Sequence, residues 1–448
     1  MAGEIHDLRS FLKVLDEAGQ LAVIDREVDL NDELGAVLQT LERSGGGAGY
    51  FSKVKGRLMP VVGGLLGSVD RIALALGCKK AEIVDRMGAA LERKDPVRPV
   101  VVDSAPFQAN VMTKDVDLGR LPIPKHAPGD GGPFITGGVV VSRDPDGTRQ
   151  NLSYQRMQVK GPDKLGVMIN EWRHMKGFLD KAEAHGQALP FAVAIGLDPA
   201  ISIAAGCRYD GDEIEIAGAI RGRPVPLVKC LTSDTYVPAE AEIIVEAEVL
   251  PGVREEEGPL AEFTGHYGAP WPSPVARVKA IQYRDGAIFQ TIAGASFEHI
   301  NLGNVLPREP LVKRFVSHVT KNVRAVHIPP YGSGFMALVA IDKVNPGEPK
   351  NVALAAMVAH VNLKNVVVFD GDVDIFDPAD VLWALNTRVK PDRDVFVVPF
   401  SQGHELDPTS DKRGVQTKTG VDATQKDDRG ELLQRTRYPQ VDLSRYLK

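Results

Sequence analysis

The chain has 448 residues, 43% of them hydrophobic and 25% charged, with a formal net charge of −6. That length exceeds what one hydrophobic core organises and points to about two or three domains of an ordinary globular protein. The negative balance argues against nucleic acid or an anionic membrane as a main partner, so an anionic small substrate would need locally placed Arg or Lys.

Cys78, Cys207 and Cys230 lie far apart and form no CxxC pair. A disulfide framework or zinc ribbon is not expected, and a reducing compartment fits. The first residues carry early acids and no long apolar run, unlike a signal peptide. The longest apolar stretches, such as 353–361, fall far short of the roughly 20 residues a membrane span needs. The expectation is a cytoplasmic protein.

In chain order, the first hundred residues read as mixed α/β. Asn31 is positioned to cap a helix with Leu34, Leu38 and Leu41 at helical spacing, closed by Ser44 and three glycines. Residues 97–102 read as a buried strand. Pro, Gly and Asp then dominate 121–138, and a domain boundary is expected near 115. The section 116–305 is mostly strands, among them 139–142 and the alternating 242–250. Residues 278–283 and 287–292 flank Arg284-Asp285-Gly286, so a hairpin is expected there. Short strands between Gly/Pro turns suggest a barrel or sandwich.

Pro310 suits the first turn of a helix running to Val323, a linker across 306–326. Strands at 337–341, 366–369 and 395–398 alternate with helices at 351–361 and 378–386. This reads as a separate α/β domain over 327–448. The tail from Ser401 is polar, with a short helical pattern near 431–434. The fold class is thus mixed α/β in several domains.

Several residues could carry chemistry. Gly258-Pro259 between Glu257 and Glu262 cannot sit inside a helix, so the two acids lie on a turn or strand end. Facing one cavity, their pKa values would be pushed apart, leaving one as acid and one as base. Equally, with Glu255 and Glu256 beside them, they could be a solvated acidic run. Tyr154, Arg156 and Gln158 alternate, which aims Arg156 from one strand face, where its fork would suit a carboxylate; a surface ladder is the other reading. His174 beside Trp172, Glu213 in an acidic run, and Lys418 in a Gly-bearing loop that could cradle phosphate each have equally plain structural explanations. There is no GxGxxG after a strand, no P-loop, no GxSxG and no HExxH.

Taken together and in order, these segments carry a resemblance that covers nearly the full length. They are Asp130-Gly131-Gly132-Pro133-Phe134-Ile135-Thr136-Gly137-Gly138, Asn151…Arg156, Pro226-Leu227-Val228-Lys229-Cys230, Glu257-Gly258-Pro259…Glu262-Phe263-Thr264-Gly265, Asp372-Val373-Asp374-Ile375, Val381…Arg388 and Thr417-Lys418-Thr419-Gly420…Asp422-Ala423-Thr424. The chain resembles the UbiD-type decarboxylases, which use prenylated flavin mononucleotide (prFMN). The resemblance implies an α/β N-terminal domain, a cofactor-binding split β-barrel, a connecting helix and a C-terminal α/β domain that makes dimers, or a dimer-based hexamer. It implies reversible, non-oxidative decarboxylation of an aromatic or heteroaromatic acid through a covalent bond between substrate and cofactor, with CO₂ as product.

The catalytic set implied is Arg156, Glu257 and Glu262. In it Glu262 donates the proton, which needs a pKa raised by burial, and Glu257 holds Arg156. Asn151, His174 and Glu213 look like the ligands of a divalent ion held against the cofactor phosphate, with Glu215 the near competitor for Glu213. These donors suit Mn²⁺ or Mg²⁺. Tyr154, Gln158 and Arg173 join them as cofactor contacts, and Lys418 matches a phosphate-binding lysine. The family also binds K⁺, and a flavin prenyltransferase would supply the cofactor. Polar Asn170, His299, Asn301 and Arg308 are expected in the substrate pocket. They favour the furan, pyrrole or indole carboxylate branch, in which His299 and Arg308 could take a second carboxylate. Alternatives are a hydroxybenzoate or polyprenyl-hydroxybenzoate substrate, a non-catalytic cofactor-binding subunit of a carboxylase complex, and a flavin reductase, for which no nicotinamide signature is visible.

Overall fold

The computed structural model describes residues 4–446 apart from 148, 172, 412, 427–434, 437, 440, 443 and 444. The helical turn expected near 431–434 lies outside the described residues.

The N-terminal unit packs helices on a small sheet. Helix Leu8–Glu17 starts at Asp7, whose carboxylate accepts from the Ser10 amide, and it buries Leu8, Phe11, Leu12 and Leu15 at helical spacing. Helix Glu33–Arg43 buries Leu34 and Leu38. Its cap position is Asp32, at φ 65° and with no side-chain cap bond, rather than Asn31. Asn31 instead forms a parallel bridge with Lys125 and meets the helix start through its carbonyl, which accepts from Glu33 N at 2.7 Å. The sheet runs Leu21–Ile24, Ala48–Phe51, Val61–Gly63 and Phe289–Gln290 in spatial order.

That last strand overturns the expected hairpin at Asp285-Gly286. After the turn the chain does not return along Trp271–Tyr283 but pairs in parallel with Val61–Gly63. Arg9 explains the departure. It donates to the carbonyls of Asp285 and Gly286 and pairs with buried Glu242, which also accepts from the Ile288 amide. The turn is thus tied to the first helix. The strand expected over 97–102 is also corrected: only Val100–Val101 is a strand, 46% and 66% exposed. It is the edge of a three-stranded sheet with Pro226–Lys229 and Tyr236–Pro238, so no second neighbour covers it.

The central sheet is antiparallel and has nine strands. From one edge they run Phe134–Ile135, Met157–Gly161, Lys164–Val167, Trp271–Tyr283, Ile243–Glu257, Leu189–Ile195, Val139–Arg143 and Gln150–Tyr154, with Asn110–Met112 beside Trp271–Tyr283. Gln150–Tyr154 ends one side of this order and Met157–Gly161 lies next to the other end, yet only Gln155 and Arg156 join them. The three residue steps from Tyr154 to Met157 span about 11 Å at most. The sheet must therefore curl until its edges nearly meet, a split barrel with Arg156 at the seam.

The C-terminal unit is a five-stranded sheet in the order Val323–His327, Met336–Ile341, Asn365–Asp370, Val415–Asp422 and Val395–Gln402, covered by helices Glu348–Ala359 and Pro378–Arg388. The preceding helix, Glu309–Ser317, has Pro310 in its first turn as expected but stops short of Val323. Thr320, Asn322 and Val323 favour turn and strand over helix, and Val323 opens the next strand. The strand Val415–Asp422 replaces the loop expected around Lys418. Among the described residues no helix is long and apolar enough to cross a membrane.

Candidate active site at the barrel seam

The seam brings the two acids to Arg156. Glu257 ends the long strand Ile243–Glu257, a cis Gly258–Pro259 bond follows, and the short strand Leu260–Ala261 leads to Glu262. Arg156 Nε and Nη2 donate to Glu257 Oε2 at 3.2 and 2.9 Å, and Nη1 is ion-paired with Glu262. Glu257 is fully buried, and burial pushes it above the usual carboxylate value even with Arg156 against it. Its Oε1 is buried without a protein partner. The acid raised by burial is thus Glu257.

Two glycines make this packing possible. Gly258 sits at φ 101°, and a Cβ there would stand 3.3 Å from Arg156 Nη2. A Cβ on Gly268 would lie 3.0 Å from Arg156 Nη1 and 3.1 Å from Glu262 Cγ. Glu255 and Glu256 take no part: Glu255 pairs with Lys164, and Glu256 is exposed.

Five residues before Arg156, on the edge strand Gln150–Tyr154, lies a second cluster. Asn151 Oδ1 is 3.0 Å from His174 Nδ1, which is 3.8 Å from Glu213 Oε1. His174 opens helix His174–Ala184 and Glu213 opens helix Glu213–Arg221, so two helix starts meet one edge strand. Glu213 is 1% exposed, its Oε2 accepts from the Leu152 amide, and burial lifts it to about 7. No hydrogen bond or ion pair joins Glu215 to His174, so Glu213 is the acid grouped with Asn151 and His174. Among the described residues no three His, Cys, Asp or Glu side chains gather; this set is instead one amide oxygen, one imidazole and one carboxylate.

Other expected residues divide. Gln158 donates to Gly131 O and accepts from Gly258 N, so both ends of its amide clamp loops around the acidic turn. Tyr154 lies half-buried, and burial raises its phenol. Asn170 O accepts from Arg173 N. His299 meets the ring of Phe263 edge-on at 6.4 Å, and burial, opposed by the nearby Glu262 charge, holds its imidazole below its usual value. Arg308 is lowered by burial and then by the charges of Arg173 and Arg208. His299 and Arg308 are each part-buried, and His299 Nδ1 and Arg308 Nε are buried without a hydrogen-bond partner among the described residues. Asn301 turns away from His299 and donates to Leu66 O. Lys418 is buried mid-strand, donates to Val361 O and Leu363 O at 2.6 and 2.9 Å, and is lowered to about 8 by burial. No hydrogen bond or ion pair joins it to Asn151, His174 or Glu213.

Sequence reading gave no role to Arg149, Arg208, Phe263 or His404. Arg149 Nη2 lies 3.3 Å from His174 Nδ1 and donates to Tyr209 O and Gly211 O. Phe263 packs on His404 (5.2 Å) and Phe335 (5.5 Å) of the C-terminal unit. Arg149 stands two residues before Asn151 and Phe263 directly after Glu262, a proximity that could have flagged both; nothing local points to His404.

Three family models match the chain: the N-terminal, Rift-related and C-terminal domains of 3-octaprenyl-4-hydroxybenzoate carboxy-lyase, over residues 12–91, 99–296 and 302–423. The anhydromevalonate phosphate decarboxylase of Methanothermobacter thermautotrophicus is 38% identical over 93% of this chain and 96% of its own length. The UbiD-class enzyme HmfF from Pelotomaculum thermopropionicum, solved with FMN, superposes at TM-score 0.93 with 40% identity, covering 99% of this chain and 100% of its own. An evolved dimeric form of HmfF, solved with prFMN, gives 0.90 and 37% over the same shares. A 3,4-dihydroxybenzoic acid decarboxylase from Enterobacter cloacae matches at TM-score 0.92, 34% identity and 99% of both chains. Full-length matches to all three domains, with this site at the seam, establish that the chain belongs to the 3-octaprenyl-4-hydroxybenzoate carboxy-lyase family, the UbiD decarboxylases, and is a carboxy-lyase.

Proposed function

We propose that this chain decarboxylates an aromatic or heteroaromatic acid at the seam, with Arg156 as the carboxylate clamp and Glu262 as the proton donor, using prFMN held by a divalent metal. The observation that carries the reading is the single guanidinium shared by Glu257 and Glu262, with Asn151 five residues before Arg156 on the edge strand and His174 and Glu213 brought to Asn151 by two helix starts. Those three donors, about 3–4 Å apart, fit one Mn²⁺ or Mg²⁺ with bonds near 2.1 Å. Arg149 and Arg173 supply further positive charge for a phosphate. When bound, prFMN would supply the electron sink that no side chain offers, by the covalent route the family resemblance implies.

The chain's own residues then have limited tasks. Arg156 offers its fork to the substrate carboxylate and fixes its approach. Glu257, buried and doubly bonded to that fork, keeps it in place. The substrate carboxylate displaces Glu262 from Arg156, which frees the Glu262 carboxyl to face the substrate and deliver a proton. When the C–C bond to the carboxylate breaks, CO₂ leaves and the ring carbon takes that proton.

In this reading His299 and Arg308 line the substrate recess and offer a second acidic group neutral or positive donors. This favours heteroaromatic diacids such as furan-2,5-dicarboxylate over simple cinnamate-like acids. A hydroxybenzoate remains the alternative, since a relative is named a 3,4-dihydroxybenzoic acid decarboxylase. Assembly as a dimer through the C-terminal sheet is supported by Val397 and Phe400, 61% and 92% exposed on its outer strand. The test is CO₂ release by enzyme co-produced with a flavin prenyltransferase, from furan-2-carboxylate, furan-2,5-dicarboxylate, pyrrole-2-carboxylate, indole-3-carboxylate and 3,4-dihydroxybenzoate. Turnover of the furan diacid above the others supports the substrate reading; turnover of the hydroxybenzoate alone overturns it.

A further inference from the structure

The segment that carries His299 is held on its other side by the N-terminal unit. The short helix Phe297–Ile300 runs into a π-helical turn, Asn301–Val305. Its residues face two ways. His299 faces Phe263, near the charges of Glu262 and Arg156. The opposite side makes four hydrogen bonds within five residues. Phe297 N donates to Glu42 Oε2 at 2.7 Å. Glu298 Oε2 accepts from Gly64 N at 2.8 Å, and Oε1 from Leu66 N at 3.0 Å. Asn301 Nδ2 donates to Leu66 O at 2.8 Å.

Glu298 is fully buried, with each oxygen on a different amide of the 64–66 turn. A carboxylate in that setting makes costly but directional bonds, which fix a position rather than merely filling space. Buried Arg71 lies in the same cavity with Glu42, Gly63, Gly64 and Ser296 and offsets the acids' charge. The decarboxylation scheme above gives none of these groups a task.

We propose that Glu298 is a positioning residue: by clamping the turn 297–301 to the Gly64–Leu66 turn, it sets how far His299 stands from Glu262 across the substrate recess. The proposal rests on the reading of His299 as a recess residue. A misplacement of about 1 Å at such a site costs on the order of 10²-fold in rate or binding. The carboxamide of Glu298→Gln can accept from only one of the two amides, so the turn loosens without losing its packing.

The experiment compares Glu298→Gln, His299→Ala and the double variant as prFMN-loaded enzymes, with the acid of highest kcat/KM among the five above. It adds amide hydrogen exchange over 297–301, which needs no substrate. The expected result is a KM raised about tenfold by Glu298→Gln with kcat within about twofold, no further rise in the His299→Ala background, and faster exchange over 297–301. Wild-type KM and exchange in Glu298→Gln, with KM raised by His299→Ala, overturn the proposal alone. An undiminished rise in the double variant also overturns it, since the clamp then acts on something other than His299. A wild-type KM in His299→Ala overturns the recess reading and the proposal with it. Should Glu298→Gln fail to fold, Glu298→Asp keeps the charge but draws it back from one amide, and carries the same expectation.

Discussion

Replacing Arg156 with Lys isolates the geometry of the fork from its charge. Arg156 spends three donors on two acids: Nε and Nη2 on Glu257 Oε2, and Nη1 on Glu262. A lysine ammonium is a point donor on a thinner stem and reaches one acid well. The variant therefore loses about two charge-assisted hydrogen bonds, at about 1.5 kcal/mol each, or about 3 kcal/mol. Because the same fork is to hold the substrate carboxylate, that loss falls on the transition state, and kcat/KM should drop on the order of 10²-fold. The fold should survive, since a positive charge remains beside buried Glu257 and no buried carboxylate is left unpaired. The assay is CO₂ release under kcat/KM conditions, with cofactor and metal content measured on the same sample. A kcat/KM within about threefold of wild type at equal cofactor content would refute the reasoning that the fork's shape, rather than its charge, is what the site uses.

Three further expectations can be checked separately. Glu262→Gln can still accept from Arg156 but has no carboxyl proton to give; decarboxylation should fall by about 10²–10⁴-fold with normal cofactor content, and full activity would exclude Glu262 as donor. His174→Ala removes the central donor of the Asn151–His174–Glu213 set and should cut co-purified metal by about tenfold or more, measured by elemental analysis; stoichiometric metal would count against the assignment. Burial raises Glu298 to about 7 from 4.5, so between those values the folded state binds more protons than the unfolded one. Its contribution is present below about pH 4.5 and is lost as pH rises through about 7, a change of about 3 kcal/mol. Denaturant midpoints of wild type should therefore fall relative to Glu298→Gln between pH 5 and 8, and parallel profiles would contradict this.

Much of this architecture was legible because its signals are local. Pro310 at a helix start, the alternation in 242–250, and the βα alternation after residue 327 all report on neighbours a few residues away. The failures are contacts made at long range. The turn at Asp285-Gly286 has hairpin chemistry, yet Arg9 ties it to the first helix and the following strand joins another sheet. Val100 and Val101 have strand composition, but only their place at a sheet edge leaves them exposed. Lys418 looked like a loop residue because its polar, Gly-bearing surroundings hid a strand whose burial comes from both neighbours.

The site divides in the same way. The pairing of Glu257 with Glu262 was visible as spacing, whereas their meeting on Arg156 depends on the curl that closes the central sheet. Glu213 and Glu215 are equivalent in sequence; the helix start at Glu213 turns one inward and leaves the other aside. Asn301 and Gln158 read as pocket or cofactor groups, but their amides are engaged by Leu66 and by Gly131 and Gly258. A polar residue in a motif does not reveal which side of the wall it serves.

The central claim is that the seam is a working decarboxylase site rather than a retired flavin cradle. The most direct measurement is CO₂ release by the purified chain after co-production with a flavin prenyltransferase, with prFMN and metal quantified on the same preparation. The account predicts CO₂ release from at least one aromatic or heteroaromatic acid, cut by about 10²-fold in Arg156→Lys and by about 10²–10⁴-fold in Glu262→Gln. Bound prFMN and metal with no release from any acid in the panel would contradict it and favour a non-catalytic cofactor-binding subunit.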